Sequence, residues 1–325
     1  MIALNAWRVA AVSVATLIGT AEGAFAQSEY PRGPVKLLVG FAAGGGNDLL
    51  ARLVAQKLSE KFSQPVVVEN RPGAGSMIAL EAVARAAPDG QMLAIAPYGT
   101  LAINPAVFSK IPYDSLASFT HVSIVATYPF ILTVAASNPA KNLAELVAAA
   151  KAAPDKANYG SSAPVMQLMT EQFKAKTGAP FEHIPIKSTG EAIQGLLNGQ
   201  LTMAFIDPGP LMGPLKAGRV RALASSGSKR FPELPSVPTM AEAGVPGIEV
   251  DGFMGVIGPK GLPPSVITRL ESELVAMTKV ADFQERLKAQ GLVPVGSTGK
   301  EFRAVVERDL PIWKGVANAA NIKLD

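Results

Sequence analysis

Short apolar runs alternate along this chain with stretches in which apolar residues recur every three or four positions. Residues 35–41 form a nearly continuous apolar run, the pattern of a strand covered on both faces. After Ala42-Ala43-Gly44-Gly45-Gly46, the residues Leu49, Leu50, Leu53, Val54, Leu58 and Phe62 fall on one helical face. Asn47 and Asp48 stand where a helix start takes its cap. Residues 65–69 predict a second strand. The loop Asn70-Arg71-Pro72-Gly73-Ala74-Gly75 follows, then a helix to about residue 87 and a turn at Pro88-Asp89-Gly90. Residues 92–96 predict a third strand that leads into Pro97-Tyr98-Gly99-Thr100. Strand, glycine loop and helix, repeated, predict an α/β unit with a parallel sheet.

The same alternation continues. Residues 121–127, 130–135, 158–161, 181–186, 201–206 and 219–225 read as strands, and 142–153, a stretch to 176 and a stretch to 197 as helices. A Pro/Gly-rich segment, 231–247, reads as a crossing segment, and 265–287 and 300–319 as helices. No repeat of fixed period and no low-complexity segment occurs. Two α/β lobes with glycine-rich loops at strand ends predict a cleft between them, because ligands of open α/β sheets sit outside the carboxyl ends of the strands. Helix N-termini at that edge offer free N–H groups and the positive end of a dipole, a seat for a carboxylate.

The first residues carry a different signal. Arg8 precedes an apolar core at residues 9–18, and Ala24-Phe25-Ala26 places small residues where a signal peptidase reads them. This predicts a signal peptide over residues 1–26 with cleavage before Gln27. The apolar core is shorter than the roughly 20 residues of a membrane span. The 325-residue chain has no cysteine, so neither a disulfide nor a lipid on cysteine is expected. Its net charge of +4 is scattered without a basic cluster, which argues against nucleic acid as a partner.

Catalytic and metal-binding signals are sparse. Gly44-Gly45-Gly46 lets backbone approach a ligand, or simply turns the chain; it lacks both the Gly-Lys-Ser/Thr of a phosphate loop and the spacing of a dinucleotide fingerprint. His121 and His183, the two histidines, lack partners at metal-ligand spacing, so structural roles and no metal or cofactor are expected. Ser226-Gly227-Ser228-Lys229 fits an S-x-x-K nucleophile pattern, but Phe231-Pro232 stops the helix that pattern needs. An exported serine hydrolase using Ser226 and Lys229 is therefore the alternative function, not the leading one.

Phe41-Ala42-Ala43-Gly44-Gly45-Gly46-Asn47-Asp48 with Ala51-Arg52, and Val66-Val67-Val68-Glu69-Asn70-Arg71-Pro72-Gly73-Ala74-Gly75, resemble two signatures of the Bug family. These are extracytoplasmic solute-binding receptors of tripartite tricarboxylate transporters. Lys216-Ala217-Gly218-Arg219-Val220-Arg221-Ala222-Leu223-Ala224 and Leu234-Pro235-Ser236-Val237-Pro238-Thr239 are similar to its later strand and crossing segment. The resemblance spans the mature chain. It implies a two-lobed, type II periplasmic binding protein of the Venus-flytrap kind, each lobe a mostly parallel sheet flanked by helices, with no enzymatic activity. One lobe would comprise residues 27–127 plus 250–325 and the other 128–249. The implied ligand is a small carboxylate (a di- or tricarboxylate, an amino acid or an aromatic acid), the implied partners are membrane permease subunits, and the implied state is a periplasmic monomer. A ligand-sensing receptor for a signalling partner would use the same closed form. The loop Tyr159-Gly160-Ser161-Ser162-Ala163-Pro164 is shorter than the family pattern, Gln167 stands at a histidine place, and Ile186 at a tyrosine place. The expected ligand-binding residues are Ala43, Gly44, Gly45, Asn47, Asp48, Tyr98, Gly99 and Thr100 in the first lobe, and Ser161, Ser162 and Asp207 in the second. For Asp48 the expected roles are capping its own helix and accepting from a ligand amine, hydroxyl or water.

Overall fold

The computed structural model describes residues 30–324; the predicted signal peptide lies outside them. The chain opens with β1 (Val35–Val39), α1 (Gly46–Phe62), β2 (Val66–Asn70), α2 (Met77–Ala84), β3 (Met92–Pro97), a π-helical turn (Gly99–Ile103) and α3 (Asn104–Val107). The long β4 (Phe119–Pro129) runs almost directly into β5 (Ile131–Ala135). Then come α4 (Leu143–Ala152), β6 (Asn158–Ser161), α5 (Pro164–Thr177), β7 (Glu182–Pro185), α6 (Thr189–Leu197), β8 (Met203–Ile206), α7 (Pro208–Lys216) and β9 (Val220–Ser225). The return is β10 (Asp251–Pro259), α8 (Pro264–Met277), α9 (Ala281–Ala289), β11 (Val293–Pro294) and α10 (Gly299–Ala319).

Among the described residues these strands form two sheets, ordered β11-β4-β10-β3-β1-β2 and β7-β6-β8-β5-β9. The expectation of mostly parallel sheets needs correcting, because both are mixed. β2, β1 and β3 are parallel, as are β7, β6 and β8, whereas β10 is antiparallel to β3 and β4, and β5 to β8 and β9. The parallel strands are joined by helical crossovers, which parallel pairing requires. The chain crosses between the sheets from β4 to β5 and from β9 to β10, all strands with antiparallel neighbours, and the short β11 also pairs antiparallel with β4.

Strand β10 escapes the hydrophobic pattern altogether, because Gly252, Gly255 and Gly258 interrupt it. Each glycine makes room for a bulky neighbour: a Cβ at these positions would meet the ring of Tyr128, the ring of Phe302 and the side chain of Leu262, each closer than 3 Å. Residues 265–287, expected as one helix, form two, α8 and α9; Gln284 turns back to donate to the Thr278 carbonyl in the break. Helix α10 starts with a capping box of Thr298 and Glu301 and packs on β4, α3 and α5. One buried apolar cluster runs from Leu38 and Phe253 in the first sheet through Trp313 to Leu132 and Phe205 in the second.

The two crossings meet at Ser226, which is fully buried. Its Oγ accepts from the Phe130 N–H (2.8 Å), between β4 and β5, and donates to the Val250 carbonyl (2.6 Å), just before β10. Its backbone N–H donates to the Phe130 carbonyl and its carbonyl accepts from the Val250 N–H. A buried serine so occupied cannot meet a substrate, which removes the hydrolase alternative with Lys229. Ser226→Ala leaves a buried donor and a buried acceptor unpaired, so denaturant melts should show a loss of about 1–3 kcal/mol. Serine-directed covalent probes should leave Ser226 unlabelled in the folded wild type.

Candidate functional site

The loop after β1 is held by one carboxylate. Asp48, 1% exposed, folds back from the first turn of α1. Its Oδ2 accepts from the Gly44 N–H and from Arg52 Nε, both at 2.9 Å, and its Oδ1 from Asn70 Nδ2 at 2.9 Å. Asn70, at the end of β2, also donates to the Phe41 carbonyl. The hydrogen bond from Arg52 leads in pulling the Asp48 carboxyl down to about 2. The capping expected of Asp48 is not made: it accepts from the loop before the N-cap and not from the first N–H groups of α1, and its oxygens are engaged by protein. It positions the loop.

The glycines of this loop differ. Gly44 has φ +86°, a conformation that favours glycine. Gly45 has φ −78°, and a Cβ there would meet only the Ala42 carbonyl at 3.7 Å. Neither strain nor packing within the protein requires glycine at position 45. Residues Ala43, Gly44 and Gly45 are exposed, and no side chain caps the N-terminus of α1. Its first N–H groups have no intrahelical partners.

Across from that helix end lies the start of α7. Gly46, Asn47, Tyr128 and Met254 line a cleft of about 260 Å³ together with Asp207, Pro208, Gly209 and Pro210, and with Gln290, Gly291 and Leu292. Gly46 and Asn47 belong to the element after β1, and Asp207 to the end of β8, so the cleft joins the carboxyl edges of both sheets. Burial pushes the Asp207 carboxyl up to about 6, against a hydrogen bond from Thr189. Burial, then the charge of Asp207, raise the Tyr128 phenol well above its usual range. Two amide oxygens here, Asn47 Oδ1 and Gln290 Oε1, are buried without a partner.

The remaining expected residues separate. Tyr98 is buried and donates to Asp309 Oδ2 at 3.0 Å, while Trp313 Nε1 donates to its hydroxyl. It lines a different cavity, of about 330 Å³, with Arg308, Asp309 and Trp313. Tyr98, expected at the ligand, turns its side chain toward α10. Gly99 has nothing within 4 Å of where a Cβ would sit, and Thr100 Oγ1 is buried without a partner. The Ser161 hydroxyl is engaged with His183 Nε2 at 2.7 Å, with Gln167 on the other ring nitrogen at 3.3 Å. The Ser162 hydroxyl contacts Met166 Sδ. His121 packs edge-on against Phe302, and its buried ring is held below the usual histidine range. Both histidines have structural surroundings, and among the described residues no group of acids and histidines is placed to hold a metal.

Sequence reasoning did not single out Tyr128 or Gln290, which no motif marks, and it read the loop at 70–75 as a family signature without counting it among the ligand-binding residues. In and just after that loop, Gly73, Ala74, Gly75 and Ser76 all have positive φ, and the Ser76 Oγ is buried without a partner. Gly40, at the end of β1, has no room for a Cβ because Ser76 packs against it. Strain of this kind gathers at functional sites, and Asn104 steadies the loop by donating to the Gly75 carbonyl.

Two lobes around a cleft edged by an uncapped helix define a solute-binding protein. Residues 50–322 match the model of the tripartite tricarboxylate transporter family receptor, and the chain belongs to that family. It is 33% identical over 298 residues to protein BugT of Bordetella pertussis, covering 91% of each chain. Among solved structures it resembles Rpa4515 of R. palustris with adipate (34% identity, TM-score 0.79, 91% of this chain and 99% of that one). It also resembles MatC of Rhodopseudomonas palustris with bound malate (28% identity, TM-score 0.74, 88% and 99%). The periplasmic binding protein BugD is similar as well (30% identity, TM-score 0.75, 90% and 99%).

The Asp48 network predicts a stability effect with a defined pH sense. A carboxyl whose pKa is lowered on folding stabilises above its unfolded value and loses that contribution as pH falls through the folded one. Asp48→Ala should cost about 1–3 kcal/mol at neutral pH. The gap to wild type in denaturant melts should narrow between pH 4 and about pH 2.

Proposed function

We propose that this chain is a periplasmic receptor that captures a small carboxylate and hands it to the permease subunits of a tripartite tricarboxylate transporter, with no chemistry of its own. The observation that carries the reading is the uncapped N-terminus of α1, presented to the cleft by a loop that Asp48 pins in place. Oriented N–H groups at a helix end bind an anion without a buried lysine or arginine. Adipate and malate in the two structural relatives support a carboxylate as ligand. In this reading residues 1–26 export the chain, residues 27–127 with 250–325 form one lobe, and residues 128–249 form the other. Ala43, Gly44, Gly45, Asn47, Gly99 and Thr100 meet the ligand from the first lobe, with Ser161, Ser162 and Asp207 opposite. Asp48 acts as a positioning residue.

A thermal-shift screen of carboxylates tests the receptor reading. A ligand present at about 100 times its Kd should stabilise the protein by about 2.7 kcal/mol. Failure of every carboxylate to shift the melt, or turnover of one of them, would refute it. Gly45→Val tests the placement. The backbone at Gly45 accepts a side chain without clash, so the unliganded melting temperature should hold. Affinity should fall about tenfold or more, which corresponds to about 1.4 kcal/mol. Unchanged affinity in the folded variant would remove this loop from the site.

A further inference from the structure

The two walls of the cleft differ in charge and in hydrogen-bonding sense. On the α1 side are backbone N–H groups. On the α7 side the helix begins Pro208-Gly209-Pro210, and proline has no N–H, so this helix end has little to offer an anion. What stands there instead is the Asp207 carboxyl, which makes no capping bond to its own helix.

Thr189 gives Asp207 one neutral hydrogen bond, and the cleft-lining groups around it are otherwise acceptors or neutral. Gln290 donates its Nε2 to the Arg286 carbonyl, which leaves its Oε1 as the unpaired end, and Asn47 Oδ1 is likewise buried without a partner. Tyr128 contributes a phenol, and no lysine or arginine lines the cleft. An ionised carboxylate enclosed without a cation is costly. Near neutral pH Asp207 is largely ionised, since burial lifts it only to about 6.

We propose that the ligand carries, besides its carboxylate, a cationic nitrogen that faces Asp207: it is an amino carboxylate and not a dicarboxylate. The proposal rests on the receptor reading above and specifies its substrate class. An ammonium brings three donors and no acceptor, which matches Asp207, Gln290 Oε1 and Asn47 Oδ1. A second carboxylate at the same place would face Asp207 and two amide oxygens, repelled by the first and unsatisfied by the others.

Calorimetric titration with amino carboxylates and dicarboxylates of matched chain length tests this on the mature protein. The wild type should bind the best amino carboxylate about tenfold or more tighter than its dicarboxylate counterpart, and Asp207→Asn should abolish that preference. Gln290→Met, which keeps the volume and removes the amide acceptor, should weaken the amino carboxylate several-fold and serves if Asp207→Asn does not fold. Dicarboxylates binding as tightly as amino carboxylates, or a preference that survives the removal of Asp207, would overturn the inference and leave the receptor reading standing. Binding of neither class would also overturn the inference, and the receptor reading would fall with it only if every carboxylate in the thermal-shift screen fails as well.

Discussion

Everything in this fold that depends on two lobes sharing a cleft passes through Ser226. The chain crosses between the sheets at Phe130 and again at Val250, and Ser226 holds both with four hydrogen bonds, two from its hydroxyl and two from its backbone. A hydroxyl suits the place because it can donate and accept at once. The crossings are thereby fixed side by side, and the carboxyl edges of the two parallel strand sets face each other. Without that registration, the helix ends after β1 and β8 would have no common space to line.

The legible part of the fold is the part built from parallel strands. β3 and β8 read as unbroken apolar runs and β1 as a run broken only by the exposed Lys36, and their following loops are marked by glycine or proline. Strand β10 is as buried as any of them yet unreadable, because its glycines make room for Tyr128 and Phe302, which are distant in sequence, and for Leu262, just past its end. The split between α8 and α9 is similarly hidden, with no proline or glycine to announce it.

The candidate site was legible as a place more than as a set of side chains. Loops at strand ends are punctuated locally, so residues 43–48 could be singled out. The direction of a side chain at a strand end depends on what packs there. Tyr98 follows β3 as expected, but Asp309 and Trp313, which claim its hydroxyl, sit on the last helix. Asp48 posed the same problem: its sequence neighbours allow capping or ligand contact, and Asn70, arriving from β2, takes up its second oxygen. Gln290 lies in no motif, and its relevance comes only from the opposed start of α7.

Closure of the cleft is constrained at the same place. Gly209, at the start of α7, and Gly291, before β11, come from opposite sheets, and a Cβ on Gly291 would lie 2.7 Å from the Gly209 backbone nitrogen. A Cβ on Gly209 would reach the Gln290 carbonyl at 2.8 Å. The lobes therefore touch backbone to backbone beside Asp207 and Gln290, with no side chain to act as a spacer. Behind the cleft, α10 of the returning segment packs on α5, and a single apolar cluster continues across both sheets. Packed interiors of this density shift as blocks and do not deform smoothly. The Ser226 crossings and the α5–α10 contact join the lobes behind the cleft, and the glycine contact joins them on the cleft side. Asp207 and Gln290, which line the cleft, stand next to the point where the lobes meet.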